Sequence, residues 1–240
     1  MKKTIVMLGA AVFVLSILSY SHSAPWDFLK SKLSTVSSTK VSDTSIGPGL
    51  KEALKVGIKN TIALLGKTDG YLGNQAVKVL MPESIRKMEP ALRAMGVGPK
   101  IDEFILSMNR AAEKSAPLAA DIFATAITEM SFDDAKKILG GANTAATDYF
   151  KAKTYDNLLV TFQPSVRKAM DDYAVTQKFE AIAGKIQTIP FADRLGNIDV
   201  NRYVSSKALD GLFLILGQQE SKIRTDPAAR VTDLLKQVFK

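Results

Sequence analysis

The sequence predicts an all-α protein, a single compact bundle of about eight to ten helices. Three observations predict it. From Gly47 to the C-terminus, apolar residues recur at spacings of three and four, the period of a helix with one buried face. No stretch alternates strictly at the strand period of two. Helix-stopping glycines and helix-starting Ser, Asp and Pro residues punctuate the apolar runs.

The elements follow in order. Leu50, Ala53, Leu54, Ile58, Thr61, Ile62 and Leu65 form one face of a first helix, with Pro48 suited to its first turn and Gly66 its stop. Pro82 to Met95 places Ile85, Met88, Leu92 and Met95 together and ends at Gly96. Pro99 to Met130 is a long helical stretch that Pro117 must kink or divide. Ser131 and Asp134 have the spacing of an N-cap and its acidic third position, and that helix ends at Gly140-Gly141. Helices over Thr144 to Ala152 and Tyr155 to Tyr173 come next, the second interrupted by Pro164. Val175 to Ile189 and Asp199 to Arg224 follow, the latter apolar on nearly all sides near 208–216. Asp226-Pro227 is positioned to cap a last helix carrying Val231, Leu234, Leu235 and Val238.

Ahead of this body, Lys2 and Lys3 precede an uncharged, mostly apolar run from Thr4 to Leu18 and then the small polar residues Ser19 to Ala24. This is the order of a cleavable export signal over residues 1–23. The run falls short of the ~20 residues that span a bilayer. No Cys follows it, which excludes a lipid-anchored lipoprotein. The expected location is the periplasm. Residues 24–46 read as a flexible tether, because positions 34–45 hold eight Ser or Thr. Trp26, Phe28, Leu29 and Leu33 form a small apolar patch at its start.

The chain of 240 residues has no cysteine, and its one histidine, His22, lies inside the expected leader. The mature protein therefore holds neither imidazole nor thiol. That removes Ser-His-Asp and Cys-His catalysis and zinc sites of the usual kinds. No cofactor fingerprint and no calcium-loop spacing is present, so neither cofactor nor metal is expected. Removing Lys2 and Lys3 lowers the formal charge from +8 to +6. The basic residues are spread rather than clustered, so anionic lipid headgroups or lipopolysaccharide phosphates on a membrane surface suit this excess better than nucleic acid.

Carboxylate chemistry remains open to Glu113, Asp121, Asp148 and Asp210, which lie in or beside apolar helix sequence. Asn109 and Glu113 share a helix face one turn apart, and Lys207 and Asp210 are spaced to meet. The segment Asp69-Gly70-Tyr71-Leu72-Gly73-Asn74 is the most loop-like polar element, with Gly offering positive φ and Asn a cap.

Several blocks in one order carry a resemblance: Gly49 to Leu54, Asp69-Gly70-Tyr71 with Asn74, Asn109 to Glu113, Ala145 to Phe150, Lys207 to Phe213, Lys222-Ile223-Arg224 and Pro227 to Arg230. The set resembles a family of exported bacterial proteins catalogued as domain of unknown function 4197, over about residues 47–240. The resemblance implies a Gram-negative envelope protein with one helical domain, and brings no catalytic residues. Its polar members, Asp69, Tyr71, Asn74, Asn109, Arg110, Glu113, Asp148, Lys207, Asp210 and Arg224, make the candidate binding cluster. The function expected is a non-enzymatic periplasmic binding module for a lipid or other hydrophobic envelope ligand held between helices. The alternatives are a scaffolding envelope protein that binds another protein, and a carboxylate-based hydrolase acting on envelope material.

Overall fold

A computed structural model describes residues 43–187 and 198–239. Among the described residues the chain is helical, without strands. It runs α1 (Asp43–Leu65), α2 (Glu83–Arg86), α3 (Glu89–Ala94), α4 (Gly98–Ser115), α5 (Ala119–Thr128), α6 (Phe132–Leu139), α7 (Ala145–Asp172), α8 (Val175–Ile186), α9 (Val200–Thr225) and α10 (Asp233–Val238). The all-α class and compact packing agree with the periodicity. The expected leader, the Trp26 patch, the tether up to residue 42 and the end of the helix predicted to reach Ile189 lie outside the described residues.

The local signals hold at several places. Pro117 divides α4 from α5 through a 3-10 turn at Ala116–Leu118. Ser131 caps α6 by accepting the Asp134 amide, and Asp199 caps α9 by accepting the Arg202 amide at 2.9 Å. Gly96 ends α3 with a φ of 78°.

Four elements differ from the expectation. α1 starts at Asp43, so the last residues of the predicted tether are helical, and Pro48 lies inside that helix rather than at its first position. The helix expected over Pro82 to Met95 is two short pieces, because Pro90 opens α3 as a new first turn. Residues 145–172 are one continuous helix despite Pro164. Pro164 and Val160, whose carbonyl it frees, both lie on the solvent side, where that carbonyl is open to water. Asp226 caps a 3-10 turn at Pro227–Ala229, and α10 starts only at Asp233 under Thr232, whose hydroxyl accepts the Leu235 amide at 3.2 Å. Val231 is left exposed between the two.

Packing follows from the apolar faces. α9 lies against α7 and α1, α1 also meets α5, α6 and α10, and α4 packs on α7 and α8. Phe123 of α5, Phe150 of α7 and Phe213 of α9 meet with ring centroids 5.3 to 6.1 Å apart. Between α1 and α2, residues 66–82 run as a strap of turns and extended chain without a helix. Its Tyr71 is fully buried, with its ring against α9.

The approach of Tyr71 sets the residue at position 211. A methyl group on Gly211 would stand 2.7 Å from Cε1 of Tyr71. Gly184, exposed in α8, has nothing within 4 Å of the same position. Replacing glycine by alanine within a helix gains up to ~1 kcal/mol from propensity, whereas overpacking a core costs ~1–3 kcal/mol. Chemical denaturation is therefore expected to show Gly184→Ala as stabilising and Gly211→Ala as destabilising. Equal effects at the two sites would remove Tyr71 from its place on α9.

Candidate functional site

The strap is held to α4 by two side chains one turn apart. Asn109, fully buried, accepts the Val79 amide through Oδ1 at 2.9 Å. Its Nδ2 donates to the carbonyls of Val79 and Ile105, each at 2.8 Å. Glu113, also buried, accepts the amides of Tyr71 and Leu72 through Oε1 at 3.1 and 3.2 Å. Its Oε2 accepts from Nη1 of Arg110 at 2.6 Å, and Nη2 of Arg110 donates to Asp69 at 2.8 Å. The hydrogen bond it donates to Glu113 is the main reason the Arg110 guanidinium holds its proton more tightly than usual. Tyr71 closes the arrangement by donating its hydroxyl to the Ala208 carbonyl of α9 at 2.7 Å.

The turn itself departs from the glycine expectation. Asp69 takes the left-handed conformation, with φ 62°, and Gly70 does not. Gly70 is needed for space, since a methyl group there would lie 2.5 Å from the Leu65 carbonyl oxygen. Asn74 caps locally, accepting the Ala76 amide at 3.1 Å.

The structure thus brings Asp69, Tyr71, Arg110 and Glu113 into one hydrogen-bonded cluster, with Asn109 and Asn74 supporting the same strap. The other four predicted residues stand elsewhere. Asp210 does not pair with Lys207. It accepts from Lys151 at 3.3 Å and from the Tyr155 hydroxyl at 3.1 Å, because α7 faces it across the helix interface. Burial, followed by the Asp210 charge, pushes the Tyr155 phenol up to about 12. Lys207 instead lies over the Tyr203 ring, 5.9 Å from its centroid. Asp148, in the first turn of α7, accepts from Thr144 at 2.8 Å.

Arg224 belongs to a second buried ion pair that sequence reading missed in part. Glu220, 2% exposed, accepts the Ala146 and Thr147 amides at 2.9 and 2.8 Å and the Thr147 hydroxyl at 2.7 Å. It thereby caps the N-terminus of α7. Arg224 donates to Glu220 at 2.9 Å and to the carbonyls of Leu139 and Ile138, at the C-terminus of α6. Glu220 was detectable as a carboxylate on the apolar stripe of Phe213, Leu216 and Ile223, four residues before an arginine.

Two open grooves flank α9. The first, of about 390 Å³, lies between the strap, α2 and α9, and its walls include Lys78, Leu80, Met81, Arg86, Lys207 and Leu214. Tyr203 fastens one edge by donating its hydroxyl to the Leu80 carbonyl at 2.8 Å. Lys78, Arg86 and Lys207 form no ion pair among the described residues, whereas Glu83 on the same wall is held by Lys87 at 3.1 Å. The second groove, of about 630 Å³, lies between α9 and the first half of α7, over Phe213, Leu214 and Gly217. Asp210 and Leu214 border both grooves. Asp121 borders a third groove, between α5 and α7. These three spaces are open at the surface. Lys78, Arg86 and Tyr203 carried no local signal in the sequence, since only the path of the strap brings Lys78 and Arg86 to the side of α9 that bears Tyr203.

Tyr71 offers a test of this geometry. Burial, then the charge of Glu113, raises the pKa of its phenol above the ordinary value of 10.0. A raised pKa stabilises the fold fully below pH 10 and progressively less above it, as the unfolded chain ionises first. Tyr71→Phe is expected to cost ~1 kcal/mol at neutral pH through the lost hydrogen bond to Ala208. In denaturation series, the advantage of the wild type over this variant should shrink from pH 10 upward. A constant difference across that range would contradict the buried phenol.

No curated protein and no solved structure matches this chain. A family model described as "Protein of unknown function (DUF4197)" matches residues 40–240, which include the strap, both buried ion pairs and both grooves. The chain belongs to the DUF4197 family.

Proposed function

We propose that this protein is an exported, non-enzymatic binding module, and that the groove between the strap and α9 takes the anionic end of an amphiphilic envelope ligand. The observation that carries the reading is the set of three cations, Lys78, Arg86 and Lys207, left without ion pairs around apolar Leu80, Met81 and Leu214. Leu80 and Leu214 are 39% and 46% exposed, so apolar surface stands open beside the charge. An anionic headgroup answers the first feature and a hydrocarbon portion the second. The volume of about 390 Å³ falls in the range of small-ligand sites.

The carboxylates support binding over hydrolysis. Glu113 is occupied by two amides and a guanidinium. Asp210 is held by Lys151 and Tyr155, and Asp148 by Thr144. Export is supported by Lys2 and Lys3 followed by the apolar run to Leu18. No helix among the described residues is long and apolar enough to cross a membrane.

Each basic side chain facing an anionic lipid contributes ~1 kcal/mol, so removing three corresponds to about a hundredfold in affinity. Calorimetric titration of the full chain with lysophosphatidylglycerol and lysophosphatidylcholine tests this. The anionic lipid is expected to bind more tightly. The triple variant Lys78→Ala, Arg86→Ala, Lys207→Ala should lose about a hundredfold for it while melting as the wild type does. A triple variant that binds the anionic lipid unchanged would overturn the reading.

A further inference from the structure

The α9 side chains that border the two grooves recur every three or four residues, through Lys207, Asp210, Leu214, Gly217, Ser221 and Thr225. That is the spacing of one helix face. The grooves also share Asp210 and Leu214, so they meet end to end along α9. Their linings differ. The three unpaired cations stand at the end formed by the strap. The other end has a floor of Phe213, Leu214 and Gly217 under a polar rim that includes Thr144, Thr147, Asp148 and Lys222. At the junction the Asp210 charge is met by Lys151 at 3.3 Å, so an anion is not repelled there by a bare carboxylate.

Gly217 is buried on the wall of the second groove, where α9 passes the start of α7. The nearest atoms to a methyl group at that position would be in the Thr144 and Thr147 side chains, the closest at 3.4 Å. A larger side chain would press on Thr144 and Thr147, which line the same groove, and narrow it. The length also fits a chain. At 1.5 Å per residue, Leu214 to Thr225 is ~16 Å. One lipid chain spans half of a hydrocarbon core ~30 Å thick, ~15 Å.

We propose that the two grooves are one site for a single-chain anionic amphiphile, its head between Lys78, Arg86 and Lys207 and its acyl chain along α9 toward Thr225. This rests on the reading of the first groove given above and adds the place of the chain. A two-chain lipid would leave its second chain in water, so the site selects lysolipids or fatty acids over diacyl lipids.

The test is titration of the full chain with palmitoyl lysophosphatidylglycerol and, separately, with glycerophosphate, which carries the head without the chain. Filling the second groove by Gly217→Leu is expected to weaken the lipid by about tenfold or more, because each buried methylene contributes ~0.8 kcal/mol. Glycerophosphate binding should not change. Ser221→Trp fills the same groove from α9's half-buried side and should act alike, which covers a folding defect in the glycine variant. If both variants bind the lipid as the wild type does while Lys207→Ala weakens it, the chain lies elsewhere and this inference fails with the first reading intact. If Lys207→Ala and both groove variants leave lipid binding unchanged, both readings fail.

Discussion

The carboxylate of Glu113 accepts two amides of the strap and one N–H of Arg110, all within 3.2 Å. Much of the surface on one side of α9 depends on that arrangement. Residues 66–82 have no helix in which to pair their own backbone groups, yet Tyr71, Val77 and Val79 are buried. Buried amides without partners would each cost several kcal/mol. The Asn74 carbonyl accepts the Val77 amide within the strap, and Glu113 and Asn109 supply the partners of Tyr71, Leu72 and Val79 from successive turns of α4. The strap can then lie flat, drive Tyr71 against Gly211 and present Lys78, Leu80 and Met81 as one wall of a groove.

Glu220 repeats the device at another place. It too is a buried carboxylate satisfied by two backbone amides and an arginine on its own helix. There the amides belong to the N-terminus of α7, and Arg224 answers the carbonyls that end α6. Charges of the right sign thus meet both helix ends. Arg230 does the same for α9, donating to the carbonyls of Ile223 and Arg224 at 3.0 and 2.9 Å. These polar side chains are bound to backbone and to each other, whereas Lys78, Arg86 and Lys207 border a groove without an ion pair among the described residues, Lys207 lying over the Tyr203 ring.

The helices were legible because burial imposes a period of 3.6 on the chain, and caps such as Ser131 and Asp199 act over three or four residues. Pro164 misled because a proline on the wet side of a long helix frees a carbonyl that is open to water. Val231 misled because an apolar residue beside a helix need not be in it. The site was legible only where its contacts are local. Asn109, Arg110 and Glu113 stand out as polar residues on one turn, and Arg110 does bind Glu113. The pairing of Asp210 with Lys151 and Tyr155 was not legible, since it joins positions more than fifty residues apart in sequence. Lys78 and Arg86 were invisible for the same reason.

The central claim is that residues 66–82 are a clamped structural element and not a mobile loop. Amide hydrogen exchange at Tyr71, Leu72 and Val79 tests it most directly, because their acceptors are the side chains of Glu113 and Asn109 rather than a regular ladder. The account predicts protection close to that of the core amides of α4 and α9. Exchange at the rate of exposed turn residues would contradict it, and with it the wall that the strap gives to the groove beside α9.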